Sequence, residues 1–459
     1  MFMKISNLFF NPKSIAIIGA SREPKKLGHI VFSNFVKGKF KGKAYPVNLN
    51  AKSILGRKSY KSILDIPQKV DLAIIVVPAS FVSLVLQECM KKKVKAVIII
   101  SAGFSETGSQ GRKREDELIK IISNSKTKVI GPNCLGILDT SSHVDTLFLS
   151  RERLGRPKKG NIALISQSGA VGSTILDWLA EEDIGISKFI SYGNAMDIDE
   201  SDLIEYLGED KKTDVILVYL EGIESSGEKF IKIAKKVTKN KPIVVLKAGK
   251  TKKGMQAVSS HTGSLAGSGR IYSGAFKQAS VIEADNWEEL LDFSLAFSTQ
   301  LLPKGNRIAV ITDGGGFGVL ATDEAERQGL LLPEPSNNLK QKMLKSMPSY
   351  VSFHNPIDLT GDATAERYKI AVEECMKSKE FDGVIAITLF QVPTLGKEIV
   401  NYLVSIKKKY KKPLLACAAG GKFSNKLSDK LIENGIPVYT TPERAVRAMK
   451  ALVDFSSIH

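Results

Sequence analysis

Of the five histidines in this 459-residue chain, one has an unusual setting. The run Ser259-Ser260-His261-Thr262-Gly263-Ser264-Leu265-Ala266-Gly267-Ser268-Gly269 surrounds His261 with glycines and small hydroxyl residues. So few bulky apolar side chains cannot build a core, and the run predicts a mobile loop bearing a nucleophilic imidazole. Histidine can take a phosphoryl group and hand it on, which divides one hard transfer into easier steps. Three similar junctions, "SIAIIGASRE", "NIALISQSGAVG" and "RIAVITDGGGFGVLA", signal a second kind of chemistry. Each places an apolar strand, a Gly/Ser turn and a helical pattern in succession. Free amides and the positive end of the helix dipole meet at such a junction and favour an anion. Glycines there also serve a tight turn with no ligand. Three occurrences, two of them followed by very small side chains, weigh toward anion binding.

The first junction, Gly19-Ala20-Ser21-Arg22 with Gly28 further on, does not have the GxGxxG spacing, so the dinucleotide fingerprint fails. The next strand region, "KAYPVNLN", ends in Asn48 and Asn50. It lacks the acid that usually holds the ribose of NAD. Later loops at Val77-Pro78-Ala79 and Ser101-Ala102-Gly103-Phe104 also follow strands. Ligands bind beyond the carboxyl ends of parallel strands, so these loops line one crevice. A nucleotide other than NAD fits that crevice. Arg22, Lys25 and Lys26 either meet its phosphates or face solvent.

Strands are expected at Ser14–Ile18, Leu72–Val77, Ala96–Ser101, Val129–Ile130, Ile162–Ser166, Val215–Leu220, Ile243–Lys247, Ile308–Thr312, Val384–Leu389 and Leu414–Ala418. Several are continuous apolar runs, as in parallel sheets buried on both faces. Alternation with helical patterns predicts an α/β architecture of βαβ units. Turn-rich seams at "RERLGRPKKG" and "LPKGN" divide the chain at about 1–150, 151–304 and 305–459. The helical stretch Asn286 to Gln300 is read as ending the second domain. This length suits three domains of ~150 residues each.

Composition narrows the function classes. Hydrophobic content of 43% and charged content of 25% describe an ordinary globular protein. No apolar run approaches the ~20 residues that span a bilayer. Cysteines 89, 134, 375 and 417 have neither CxxC pairing nor metal-ligand spacing and suit reduced, buried thiols of a cytoplasmic protein. The net charge of +18 comes from scattered lysine runs without interleaved aromatics. This pattern favours a solvated surface over a nucleic-acid site.

The segments "IIGASREPKKLGH", "YPVNLN", "DLAIIVVPA", "SAGFSETG", "GPNCLGIL", "ISQSGAVG", "SYGNAMDIDESDLIEYL", "VYLEGIES", "KPIVVLKAGKT", "SSHTGSLAGS" and "HNPIDLTGDA" together resemble the α subunit of ADP-forming acyl-CoA (acetyl-CoA) synthetases. These are relatives of succinyl-CoA synthetase. The resemblance implies a Rossmann-like CoA-binding domain followed by two flavodoxin-like, succinyl-CoA synthetase-type domains. It implies that His261 is phosphorylated during turnover with support from Glu221. It also implies CoA contacts at Gly19, Ser21, Arg22, Gly28, Asn48, Pro78, Gly103 and Asn133. Phosphate is expected at Ser166, Ser168 and Gly169 and at Gly315 and Gly316. No ATP-grasp or Walker A pattern is found, so ADP/ATP and Mg2+ are expected on a separate β subunit, in an α2β2 heterotetramer. No metal site is expected in this chain. "TDGGGFG" stands where the family more often has Asn-Ala-Gly-Gly-Pro-Gly, and it brings Asp313 to the expected phosphate site. The competing readings are a CoA-sensing protein without catalysis and an NAD(P)-dependent oxidoreductase. Retention of His261 and the missing ribose acid weigh against them.

Overall fold

A computed structural model describes residues 8–123, 125–224, 226–262 and 268–457, with the side chains of residues 259–262 outside that description. The chain forms two compact units, residues 1–287 and 288–459.

The first unit holds two large sheets and a two-stranded hairpin of Ser53–Ile54 and Arg57–Lys58. The apolar runs of its N-terminal part become β1 (Ser14–Ile18), β2 (Lys43–Val47), β3 (Leu72–Ile75), β4 (Ala96–Ile99) and β5 (Lys128–Ile130). All pair in parallel, in the order β2-β1-β3-β4-β5. Every residue of β1, β3 and β4 is buried, because helices cover both faces of such a sheet.

The second sheet begins before the expected seam. β6 (Gly136–Asp139) and β7 (Val144–Asp145) precede β8 (Lys159–Ser166), β9 (Ile186–Ser191), β10 (Val215–Leu220), β11 (Ile243–Lys247) and β12 (Ile282–Ala284). The order is β12-β11-β10-β8-β9-β6-β7, and only β6 runs against the others, pairing antiparallel with both β9 and β7. A boundary at 150 therefore falls after two strands of the second sheet. The basic run that follows is pinned rather than free. Arg156 Nε lies 3.0 Å from Asp145 Oδ2, with side chains 7% and 3% exposed, and Arg151 adds a second contact at 2.9 Å. Removing one partner of so buried a pair typically costs about 3–5 kcal/mol, so this turn is a structural joint. Strand β9 escaped the sequence reading because Lys188 interrupts its apolar pattern. Lys188 is 2% exposed and is neutralised by Asp210 at 2.6 Å and Asp139 at 3.3 Å.

In the second unit, β13 (Ile308–Thr312), β14 (Ile357–Asp358), β15 (Gly383–Ile387), β16 (Leu414–Cys417) and β17 (Val438–Tyr439) form a parallel sheet ordered β14-β13-β15-β16-β17. The helix Trp287–Thr299, expected to close the preceding domain, packs within this unit. Its Asp292 receives hydrogen bonds from Arg444 at 2.7 and 2.6 Å.

Counted along their parallel strands, the three sheets share the order 2-1-3-4-5. In such a doubly wound sheet the strand direction of progress reverses between strands 1 and 3, which opens a crevice at their carboxyl ends. Those crevices lie between the loops after β1 and β3, after β8 and β10, and after β13 and β15.

Candidate active site

At the first crevice the backbone itself makes the wall. Gly19 has φ +93°, and a Cβ there would sit 2.1 Å from the Val76 carbonyl oxygen. A Cβ on Gly28 would sit 2.0 Å from the Gly19 carbonyl oxygen. Only glycine lets the two loops and the helix Leu27–Lys37 approach this closely. Asn48 shapes the same loop from below. Its Nδ2 donates to the Ala20 carbonyl at 2.8 Å, and its Oδ1 receives the Asn50 and Ala51 amides. The Ser21 hydroxyl receives the Glu23 amide at 3.0 Å, and Arg22 is exposed. Gly103, at φ +108°, donates its amide to Glu106 Oε1 at 2.6 Å.

A cavity of about 1160 Å³ runs from this crevice to the next one within the same unit. It gathers Gly19, Gly28, Pro78 and Asn133 from the expected CoA set, with Ser168, Gly169 and Glu221. Ser21, Arg22, Asn48, Gly103 and Ser166 do not line it. Lys25 and Lys26 do, and both are exposed.

The second crevice is organised by Gln167, which lies between the Ser166 and Ser168 expected to hold phosphate. Its Oε1 receives the Glu221 amide at 2.8 Å and the Gly222 amide at 3.0 Å. One side chain from the β8 loop thereby fixes the β10 loop across the switch point. Ser166 is fully buried and donates to the Ser168 carbonyl at 2.6 Å. Ser168 caps the helix Gly169–Glu181 by accepting the Val171 amide. Glu221 is 6% exposed, lines the cavity and is hydrogen-bonded to the Tyr219 hydroxyl. Its carbonyl accepts from Lys247 Nζ at 2.7 Å.

Between the crevices, Asn133 donates to Asn194 Oδ1 at 3.2 Å. The Asn194 amide faces Ser105, Glu106 and Glu115 at 3.0, 2.7 and 2.8 Å. Burial pushes the Glu106 carboxyl up, but hydrogen bonds from Asn194 and from the Gly103 and Phe104 amides outweigh it and hold the group below its usual range. Gly193 makes this network possible, since a Cβ there would lie 2.3 Å from the Pro132 carbonyl oxygen. Glu106, Asn133 and Asn194 fall within "SAGFSETG", "GPNCLGIL" and "SYGNAMDIDESDLIEYL", whereas Glu115 falls in none of the family-like segments. What was missing was the fold that brings positions 106, 115, 133 and 194 together. Cys134 lines the same cavity, but its thiol donates to the Ile99 carbonyl at 3.3 Å. Burial pushes it up to about 12, so it is no nucleophile near neutral pH.

His261 lies in the last turn of the helix Lys252–Thr262. The expected loop is thus helical through Thr262, with Gly263 and Gly267 outside the described residues. His354, exposed, pairs with Glu334 at 2.9 Å.

In the second unit, Gly315 and Gly316 open the helix Gly315–Arg327 and are exposed. Asp313 crosses the third crevice, accepting the Leu389 amide at 3.0 Å. Burial raises its carboxyl from 3.8 to about 6 against the hydrogen bonds from Leu389 and Tyr368. The folded state then holds this proton more tightly than the unfolded chain does, so stability falls as pH rises from about 4 to 6. Asp313→Asn should remove that dependence. We expect the variant to gain on the wild type by up to about 3 kcal/mol between pH 4 and 7, at 1.36 kcal/mol per pH unit. Urea unfolding of both proteins across that range measures the gain, and parallel stability curves would refute the assignment.

Among the described residues, no group of three or more His, Cys, Asp or Glu side chains is placed to hold a metal ion. No described helix is long and apolar enough to cross a membrane.

Three family profiles match the chain: a CoA binding domain over residues 13–140, a succinyl-CoA ligase like flavodoxin domain over 159–297, and a ligase-CoA domain over 308–456. The α subunit of acetate–CoA ligase [ADP-forming] II from Pyrococcus furiosus is 45% identical, over 97% of this chain and 96% of that one. A 4-hydroxybutyrate–CoA ligase [ADP-forming] from Nitrosopumilus maritimus is 36% identical over 97% of this chain, which spans 64% of that longer protein. Among solved structures, the dinucleotide forming acetyl-coenzyme A synthetase 1 of Ca. Korarchaeum cryptofilum, in complex with phosphate and ADP, superposes with a TM-score of 0.93. It is 37% identical, and the match covers 99% of this chain and 97% of that one.

Proposed function

The chain belongs to the family of ADP-forming acetate–CoA ligase α subunits, and from that premise we propose how its residues divide the work. The reaction is acyl-CoA + ADP + phosphate to carboxylate + ATP + CoA. One observation carries the assignment. The glycine-walled crevice of the first sheet and the Ser168–Glu221 crevice of the second open into one cavity. A CoA nucleotide lies along Gly19, Gly28 and Pro78, with its thioester reaching toward Asn133. Phosphate is held at the N-terminus of the helix Gly169–Glu181, where fixed amide dipoles favour it.

A phosphate oxygen attacks the thioester carbon and the C–S bond breaks, giving acyl phosphate and CoA thiolate, which takes up a proton. His261 attacks the phosphorus, and the bond to the acyl oxygen breaks to release the carboxylate. Phosphohistidine then gives its phosphoryl group to a terminal oxygen of ADP. Glu221 orients the imidazole and stabilises its charged form. Gly315 and Gly316, at a helix N-terminus of the second unit, are a phosphate contact of their own in this reading. The adenine nucleotide and Mg2+ belong to a separate ATP-grasp β subunit, in an α2β2 assembly in the cytoplasm. The greater length of the 4-hydroxybutyrate ligase supports a need for sequence beyond this chain.

The test is reconstitution. Mixed with an ATP-grasp β subunit, the chain should form ATP from acetyl-CoA, ADP and phosphate, and neither chain should do so alone. ATP made by this chain by itself would overturn the division. A mixture inactive with acetyl-, branched-chain and aryl-CoA alike would overturn the activity.

A further inference from the structure

Lys247 ends strand β11 with its side chain 2% exposed. A lysine so deep needs a reason, since an ammonium loses most of its hydration there. Its Nζ donates to the Glu221 carbonyl at 2.7 Å and to the Ala248 carbonyl, and stands 4.4 Å from the ring centroid of Tyr272. Tyr272, on the helix Gly269–Gln278, receives the Ile223 amide on its hydroxyl at 3.2 Å. Gln167 already holds the Glu221 and Gly222 amides. The loop Glu221–Ile223 is therefore gripped from three elements: Gln167 and Tyr272 accept its amides, and Lys247 donates to its Glu221 carbonyl.

We propose that Lys247 is a positioning residue for the phosphoryl transfer, which aims the Glu221 carboxylate and places a buried positive charge within its reach. The proposal rests on the reading of Glu221 given above. A neutral amine keeps the shape of the contact but weakens the charge-assisted hydrogen bond and the attraction to the ring. The charged groups facing Lys247 are Glu221 from the β10 loop, Glu283 from β12 and Lys250 from the turn after β11. Burial pushes its ammonium down to about 8, Lys250 adds to the fall, and the two glutamates oppose it. The cation is present below that pH and lost above it, so turnover should decline through an alkaline limb near pH 8.

The experiment uses the reconstituted α–β enzyme with acetyl-CoA, ADP and phosphate. Its wild-type activity tests the underlying reaction separately, and Glu221→Gln tests the reading of Glu221. Given that activity, Lys247→Met should lower kcat roughly 10- to 100-fold, as for loss of a hydrogen bond to a charged group. KM for acetyl-CoA should change less than about threefold, because binding is left alone. Lys247→Arg, whose guanidinium does not titrate, should remove the limb near pH 8. A folded Met variant with wild-type kcat would overturn the proposal. So would an Arg variant that keeps the limb, even where the Met variant fails to fold.

Discussion

His261→Ala eliminates ATP formation by the reconstituted enzyme, a fall of roughly 10⁴-fold or more, because the nucleophile itself is gone. The loss should be confined to one half of the cycle. Phosphate attack on the thioester does not use the imidazole, so the variant should still release CoA from acetyl-CoA and phosphate. Thiol release measured in a rapid-quench experiment reads that step. With radiolabelled ATP and the β subunit, the wild type should acquire acid-labile, base-stable label and the variant none. Equal labelling of the two proteins would sink the phosphohistidine. A variant that fails to release CoA as well would place His261 in the first step instead.

The same histidine shows what the sequence made legible and what it did not. Its identity stood out, since Ser259 to Gly269 is depleted in core-forming residues. Its local structure did not. The helix Lys252–Thr262 starts with Lys252-Lys253-Gly254-Met255-Gln256-Ala257-Val258, mostly good helix formers, and this pattern was outweighed by the glycines that follow. The buried parallel strands were legible because β1, β3 and β4 are unbroken apolar runs. β9 was not, because Lys188 sits in its middle and finds Asp210 and Asp139 only through tertiary contact. Ser168, Gly169 and Glu221 were read as site residues, and the structure sets all three on one cavity. Ser21, Asn48, Gly103 and Ser166 were read as ligand contacts, and in the structure polar groups of each also shape loops. Glycine and hydroxyl residues mark a tight turn and a binding loop with the same letters. Only the partner of each polar atom separates the two roles. Lys247 was invisible for the converse reason, and Gln167 was seen only as part of its loop: each holds Glu221, which follows a neighbouring strand but lies 26 and 54 positions away in sequence.

Glu221→Gln isolates the charge at that crevice. The substitution keeps the size of the side chain and leaves the backbone contacts to Gln167 and Lys247 in place, so the loop should hold its shape. What disappears is the carboxylate that fixes the imidazole tautomer and stabilises its charged form. Loss of such a group typically costs about 10²- to 10⁴-fold, and we expect kcat to fall within that range with KM for acetyl-CoA nearly unchanged. A second consequence follows from the attraction between the two side chains. Glu221 raises the proton affinity of Lys247 against its burial. Without the carboxylate, Lys247 should give up its proton more readily, and the alkaline limb should move below about pH 8. The opposite assignment, with Glu221 only a loop residue, predicts a Gln variant within a few-fold of wild type and an unmoved limb. Activity measured from pH 6 to 9.5 separates the two. A large loss of kcat with a fixed limb would keep the glutamate in the chemistry but disconnect it from the lysine.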